Sequence, residues 1–495
     1  MAFRARFARD VVIDLVGYRR WGHNEGDEPA YTQPVMVQRI KQHPTVATLY
    51  AQRLIEQGVV DEEQVAEMRA HIARRLSEHH GHIPKEEAEA QPRPEPPATV
   101  RGLATAVTSD RLLALNEALL TVPEGFTPHP KLWQQLERRR DAVGEGGGID
   151  WGHAEALAFA SLLEDGTPIR LTGQDAERGT FSHRHLVLHD VETGETFTPM
   201  QHIPHAKASF EVRNSPLSET ACLGFEYGYS VTRPETLVLW EAQFGDFANV
   251  PQPIIDQFIA SGRVKWGQLS QLTLLLPHGY EGNGPEHSSA RLERFLNLAA
   301  EDNIMVAYPT TPAQYFHLLR LQAHPTIRRP LIVMTPKSLL RLKDSTSRLE
   351  DLTDGAFQPV IDDGSVQDWK EDVSRLVLCT GKVYYDIQRH PERGTADEAA
   401  VVRVEQLYRF PTEELAGVVA SYPELRQVVW AQEEPQNMGA WRSIRHRLES
   451  IMPPGVALRY EGRPWRASTA EGYQPDHLRE QDRIVRAALG LPPAA

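Results

Sequence analysis

The 495-residue chain has a formal net charge of -14, is 41% hydrophobic and 24% charged, so it can hold two or three domains with cores of their own and lacks the clustered positive charge that a nucleic-acid backbone requires. No apolar run approaches the roughly 18 residues needed to cross a bilayer, and the start, Met1-Ala-Phe-Arg-Ala-Arg-Phe-Ala-Arg, has no apolar signal-peptide centre. The two cysteines, Cys222 and Cys379, follow no metal-ligand spacing and read as buried thiols of a reducing compartment, which predicts a cytoplasmic protein.

Residues 10 to 16 (Asp-Val-Val-Ile-Asp-Leu-Val) predict a buried strand that opens into the loop from Tyr18 to Pro34. One strand cannot make a parallel sheet, so it either joins a later sheet or belongs with elements that would precede it. Two helices follow: Thr45 to Gln57, closed by Gly58, and Glu62 to about His79, opened by Asp61 with Gln64 three residues on as a capping box. The acidic, proline-rich run from Lys85 to Pro97 predicts an extended linker. Two helical pieces span Asp110 to Val143 and end at Gly144-Glu-Gly-Gly-Gly148.

From Ile149 to about Lys337 strands and helices alternate. Strands are expected at Pro168 to Thr172, Thr236 to Trp240, Gln271 to Leu276, Met305 to Tyr308 and Leu331 to Thr335, with helices near His153 to Leu163, Pro216 to Val231 and Pro312 to Ala323. Such alternation predicts a mostly parallel α/β sheet covered by helices, with ligands at the strand C-terminal ends. After a polar stretch from Ser345 to Asp372, a second alternating set from Arg375 to Ile451 predicts a separate C-terminal α/β domain.

The richest stretch chemically is Leu276-Pro-His-Gly-Tyr-Glu-Gly-Asn-Gly-Pro-Glu-His287-Ser-Ser-Ala-Arg. Its glycines let backbone approach a ligand, and Ser288 or Ser289 is expected to cap a helix, which would put His287 at the positive helix end and keep its imidazole neutral for proton transfer. A turn with a surface histidine accounts for the same residues without chemistry. Glu219 is expected in the first turn of a helix capped by Ser215 with Pro216 at its first position, where it either serves a site or complements the helix dipole. Ala221, Gly224 and Gly228 follow at spacings that leave one small face, on which another helix backbone could pack closely.

Read in order, Tyr18-Arg-Arg-Trp-Gly-His23-Asn-Glu, Thr172-Gly-Gln-Asp-Ala-Glu-Arg-Gly-Thr-Phe-Ser-His-Arg-His185, Leu217-Ser-Glu219, Leu239-Trp-Glu-Ala-Gln-Phe244-Gly-Asp-Phe247 and the His287 loop resemble the thiamine-diphosphate-dependent dehydrogenase component of the 2-oxoglutarate dehydrogenase complex. The resemblance runs from about Phe3 to about Leu489. It implies a thiamine-diphosphate-binding, transketolase-like fold: residues 1–45 the tail of a diphosphate-binding domain, 46–148 a helical segment and linker, 149–345 a pyrimidine-binding domain, and 373–495 a transketolase-like C-terminal domain. It also implies oxidative decarboxylation of 2-oxoglutarate in the tricarboxylic acid cycle, with transfer of the succinyl group to a lipoyl group of the dihydrolipoyl succinyltransferase component, by a homodimer.

On the family's pattern Glu219 is the carboxyl group that activates the cofactor, and His287 faces its reactive end with His278 behind. Phe244 and Phe247 wall the pyrimidine pocket, and Arg19 and His23 lie on a loop over the diphosphate. Asp175, Arg178, His183 and His185 imply a polar network near the active site or a docking place for the lipoyl arm. The family's Gly-Asp-Gly…Asn motif for magnesium and diphosphate finds no match, so no metal ligands are expected in this chain. Those ligands are expected in an upstream half, making this an N-terminally truncated form. Two alternatives stay open: a dehydrogenase for 2-oxoadipate, or a non-catalytic subunit that folds and dimerises.

Overall fold

The computed structural model describes residues 2–9, 11–81 and 103–494, which fall into two compact units, Met1–Pro92 and Arg93–Ala495. The linker expected at Lys85 to Pro97 lies outside the described residues.

In the first unit both sequence-read helices form. Thr45 caps Val46–Glu56 by accepting from the Thr48 amide, and Asp61 and Gln64 exchange side-chain bonds with each other's amides at 2.8 and 3.0 Å at the head of Glu62–Gly81. The strand expected at 10–16 does not form. Residues 11–16 have no regular structure, and Val12, Ile13, Leu15 and Val16 are 83–94% exposed. The physical reason is the one that makes a lone strand unstable: no other strand is present among the described residues of this unit.

The second unit is built on two sheets. The larger has the order Gln406–Tyr408, Met305–Ala307, Leu331–Thr335, Thr273–Pro277, Leu237–Glu241, Ile169–Gly173, Phe210–Asn214. All neighbours are parallel except the first strand, which returns from the C-terminal region and pairs antiparallel with Met305–Ala307. Its five central strands are buried at nearly every position, as expected of a parallel sheet with helices on both faces. The helix Trp151–Asp165, capped by Asp150 and buried from Trp151 through Leu163, packs with Leu112, Leu115 and Leu119 on one face. The smaller sheet runs Ala457–Arg463, Gln427–Pro435, Arg375–Cys379, Ala399–Val404 and the antiparallel Val360–Ile361. A long amphipathic helix, Gln474–Leu489, packs over it. Both cysteines are free and buried.

Two helix starts differ from expectation. The helix bearing Glu219 spans Glu219–Thr232, and its N-cap is Ser218, whose hydroxyl accepts from the Ala221 amide, not Ser215. The helix after His287 begins only at Leu292 behind Arg291, a left-handed residue with no side-chain cap bond. The left-handed backbone of Arg291 prevents a right-handed helix from running through it from Ser288 or Ser289, whose amides are bonded instead to Asp246. The imidazole therefore sits in the short 3-10 turn Pro285–His287, and the helix-dipole argument for its neutrality does not apply.

Candidate active site

Adjacent parallel strands deliver adjacent loops. Leu237–Glu241 pairs with Thr273–Pro277, so the loop carrying Phe244 and Phe247 and the loop carrying His287 leave the same C-terminal edge of the sheet, the usual ligand edge of such folds. There the rings meet. Phe244 and His287 lie 4.5 Å apart at 75°, Phe244 and Phe247 5.8 Å apart at 69°, and Phe247 and His287 6.4 Å apart at 68°. Phe181, from the loop after Ile169–Gly173, closes on Phe244 edge to face at 5.4 Å. All four rings are half-buried.

Behind them His278 is buried and its tautomer is fixed by its partners. Nδ1 accepts from the Ala290 amide at 3.0 Å, so the proton resides on Nε2, which donates to Glu434 at 2.9 Å. Glu434 belongs to the smaller sheet, which also supplies Arg463 over the ring of Tyr280 at 4.9 Å. Thr469 donates to the Pro285 carbonyl at 2.8 Å. The glycine-rich loop is thus held from the C-terminal side. Lys337 adds a bond from its ammonium to the His287 carbonyl. Burial pushes the Lys337 ammonium below its ordinary value, against the opposing pull of Glu281 and Asp246.

Glu219 lies at the first turn of its helix, partly exposed, and its carboxylate has no hydrogen-bond or ion-pair partner among the described residues. The next residue, Thr220, donates to the Val250 carbonyl at 3.0 Å, tying this turn to the far end of the Phe244–Phe247 loop. Among the described residues no hydrogen bond or ion pair joins Glu219 to His287 or to the loop of the two phenylalanines. Of the small residues expected to receive another helix, Gly224 faces Ile254 of the same chain, which a Cβ there would meet at 3.5 Å, while Ala221 and Gly228 are exposed. Leu217, Phe225 and Val250 are 50–57% exposed as well.

Two residues that carry much of this region went unsingled in the sequence. Arg184 is 1% exposed, and all five of its N–H groups are used: two to Glu155, two to Glu241 and one to the Ala176 carbonyl. Its signal was a lone carboxylate inside each of two apolar elements, since a buried acid requires a partner. Asp246 is the other; its Oδ1 accepts from the Ser288 and Ser289 amides and its Oδ2 has no partner. Next to Arg184, His183 is held down to about 4 by burial first and by the guanidinium second. His185 bonds the Ser182 carbonyl at 3.0 Å, and Asp175 pairs with Arg178 at the surface. The contact of Phe181 with Phe244 places this loop beside the aromatic cluster.

In the first unit, Arg19 lines an open cleft with Tyr18, Arg20 and Trp21. His23 is exposed on a turn closed by its own amide to Asp27 at 2.6 Å.

Partly exposed aromatic rings converge at one loop edge, and Glu219, an acid with no bonding partner among the described residues, begins the helix tied to the far end of that loop. The fold is a parallel α/β domain of transketolase type joined to a second α/β domain. Residues 147–343 match the model for the transketolase pyrimidine-binding domain, 346–489 that for the 2-oxoglutarate dehydrogenase C-terminal region, and 1–96 that for the dehydrogenase E1 component. Along nearly its whole length the chain is similar to part of the 2-oxoglutarate dehydrogenase E1 component. It is 53% identical over 496 residues to the 2-oxoglutarate dehydrogenase E1 component of Geobacillus sp. (strain WCH70), covering 99% of this chain and 52% of that protein. Those of Exiguobacterium sp. (strain ATCC BAA-1283 / AT1b) and Bacillus subtilis (strain 168) are 51% and 49% identical, each over 98% of this chain and 52% of theirs. The chain thus spans about half the length of these relatives. Among solved structures, a split-gene transketolase described as an inactive β4 tetramer aligns with a TM-score of 0.48 and 17% identity over 70% of this chain and 98% of that one.

Proposed function

We propose that this chain supplies the pyrimidine side of the active site of a 2-oxoglutarate dehydrogenase that decarboxylates 2-oxoglutarate and passes the succinyl group to a lipoyl group of the dihydrolipoyl succinyltransferase component. In this reading residues 149–345 are the pyrimidine-binding domain and 373–495 the transketolase-like C-terminal domain, acting in the cytoplasm. The observation that carries it is the convergence of Phe244, Phe247 and His287 at the edge of adjacent parallel strands.

Thiamine diphosphate, when bound, supplies the electron sink that lets a 2-oxo acid lose carbon dioxide. Phe244 and Phe247 flank the heterocycle and exclude water. Glu219 holds a hydrogen bond at the pyrimidine nitrogen, and His287 gives or takes a proton at the reacting carbon. Arg19 and His23, in the first unit, would offer a cation and an N–H donor to a diphosphate. Among the described residues no cluster of three or more His, Cys, Asp or Glu is arranged to hold a metal ion. In this reading magnesium is bound by the portion of the relatives that this chain does not span. In this reading Glu219 serves the site of a second copy in a homodimer, because its carboxylate has no bonding partner among the described residues of its own chain and the face around it carries exposed Leu217, Phe225, Ala221 and Gly228.

The test is calorimetric titration of the full chain with thiamine diphosphate and magnesium, alone and with a polypeptide equivalent to the other half of the relatives. Heat of binding in the mixture, decarboxylation of 2-oxoglutarate faster than of 2-oxoadipate, and loss of that turnover in Glu219→Ala with the fold kept are the expected results. Retained turnover in Glu219→Ala removes the assignment. Faster turnover of 2-oxoadipate reassigns the substrate, and no binding in either arm leaves a polypeptide that only folds and dimerises.

A further inference from the structure

Asp246 stands between the two phenylalanines of its loop and is 6% exposed. Its Oδ1 accepts from the amides of Ser288 at 3.4 Å and Ser289 at 3.2 Å, the two residues that follow His287. One carboxylate therefore joins two loops that are more than 40 residues apart in sequence and that carry the facing rings. The loops come this close because residue 245 is glycine. A Cβ there would stand 2.5 Å from the Ala290 methyl and 2.6 Å from the Pro277 carbonyl. On the other side the Lys337 ammonium and the Thr469 hydroxyl bond the carbonyls of His287 and Pro285. Among the described residues no hydrogen bond reaches the His287 ring itself, so its place depends on the backbone turn and on Phe244.

We infer that Asp246 is a positioning residue for His287: its carboxylate fixes the Ser288 and Ser289 amides and thereby sets the imidazole against Phe244. Burial favours the neutral form of this acid, with the two amides opposing it. Either form keeps an acceptor oxygen for the amides, and so does the amide of asparagine. Alanine keeps none. The inference rests on the reading of His287 as a proton-handling group, and the experiment separates the two.

In the full chain with labelled histidine, the His287 ring signals, identified by their loss in His287→Gln, carry the ring-current shift of Phe244. That shift is expected to persist in Asp246→Asn and vanish in Asp246→Ala. The Ser288 and Ser289 amides of the wild-type chain are expected to be protected from hydrogen exchange. In the complemented enzyme, Asp246→Ala is expected to lower kcat by about a hundredfold, the scale of a misplacement near 1 Å, with KM little changed, and Asp246→Asn to restore most of it. His287 signals unmoved in Asp246→Ala overturn the inference, as do unprotected serine amides. Should Asp246→Ala fail to fold, Asp246→Asn decides: a lost ring-current shift there overturns the inference, and a retained one with protected amides supports it. A shifted ring with unchanged turnover removes His287 from the chemistry instead.

Discussion

A buried arginine with every N–H bonded is held as firmly as a side chain can be, and it holds its neighbours in return. Arg184 crosses from the loop beside the aromatic cluster to Glu155 on the helix Trp151–Asp165 and Glu241 at the end of the central strand, and Tyr315 adds a bond to Glu155 at 2.7 Å. Removing the cation would leave two buried acids uncompensated, which typically costs about 3–5 kcal/mol. Arg184→Met is therefore expected to lower the urea unfolding free energy by about that amount, and Arg184→Met with Glu155→Leu and Glu241→Leu to be less destabilised than the single change. A single variant as stable as the wild type would refute this account. The adjacent His183 gives the same region a pH dependence. Its folded value, about 4, lies below the ordinary 6.5, so between these values the unfolded chain takes up a proton that the folded chain refuses. Stability is full above about pH 6.5 and is lost as pH falls towards 4, by up to about 3 kcal/mol for this one group. Urea midpoints from pH 7.5 to 4.5 should fall in the wild type and fall less in His183→Gln.

At the scale of elements, Gly228 offers a comparison with Gly245, because one is open and the other closed. A methyl at 245 meets backbone and side chain below 3.0 Å, whereas at 228, inside the helix Glu219–Thr232, it meets nothing within 4 Å. Gly245→Ala is expected to cost about 1–3 kcal/mol by overpacking, and Gly228→Ala to raise the intrinsic stability of its helix by about 1 kcal/mol. If a second copy packs on this face, Gly228→Ala should also weaken self-association, which sedimentation at several concentrations measures; an unchanged dimer constant would place the interface elsewhere. Local chemistry explains which elements could be read in advance. The reciprocal pair Asp61 and Gln64, the cap Thr45 and the apolar parallel strands are each specified by residues within a few positions, and so were legible. The cap at Ser218 was obscured by Ser215 and Pro216, which satisfy the same local rule three residues earlier. The late start of the helix at Leu292 follows from a left-handed Arg291 that no local residue pattern announces, and the edge strand Gln406–Tyr408 depends on a partner in the other sheet's territory. Phe244, Phe247 and His287 were legible as motif residues. Arg184 and Asp246, which hold their loops, act through long-range contacts that no local spacing reveals.

For the whole molecule, burial is distributed very unequally. The second unit has continuous cores that join both sheets, with Val306, Tyr308, Leu376, Val402 and Trp430 in one cluster, and the acid Glu405 is buried between them, accepting from the Thr310 amide at 2.7 Å. In the first unit none of the described residues from 2 to 80 is fully buried, and Val46, Tyr50, Met68, Ile72 and Leu76 are 52–81% exposed. Helices without a covered apolar face draw little stability from packing, and propensity alone leaves short helices marginal in water. Local opening, the step that admits a protease, should therefore be frequent there and rare beyond residue 103. Brief trypsin treatment of the full chain is expected to cut first among Arg39, Lys41, Arg53, Arg69, Arg74 and Arg75, leaving a resistant fragment that retains residues 109–489. Mass spectrometry of the early products checks this. A polypeptide equivalent to the other half of the relatives should slow those first cuts by covering the apolar side chains, without changing the rate at which the fragment itself is cleaved. Early cleavage inside 149–343 with residues 2–81 intact would mean that the exposed helices are stabilised by something other than apolar burial.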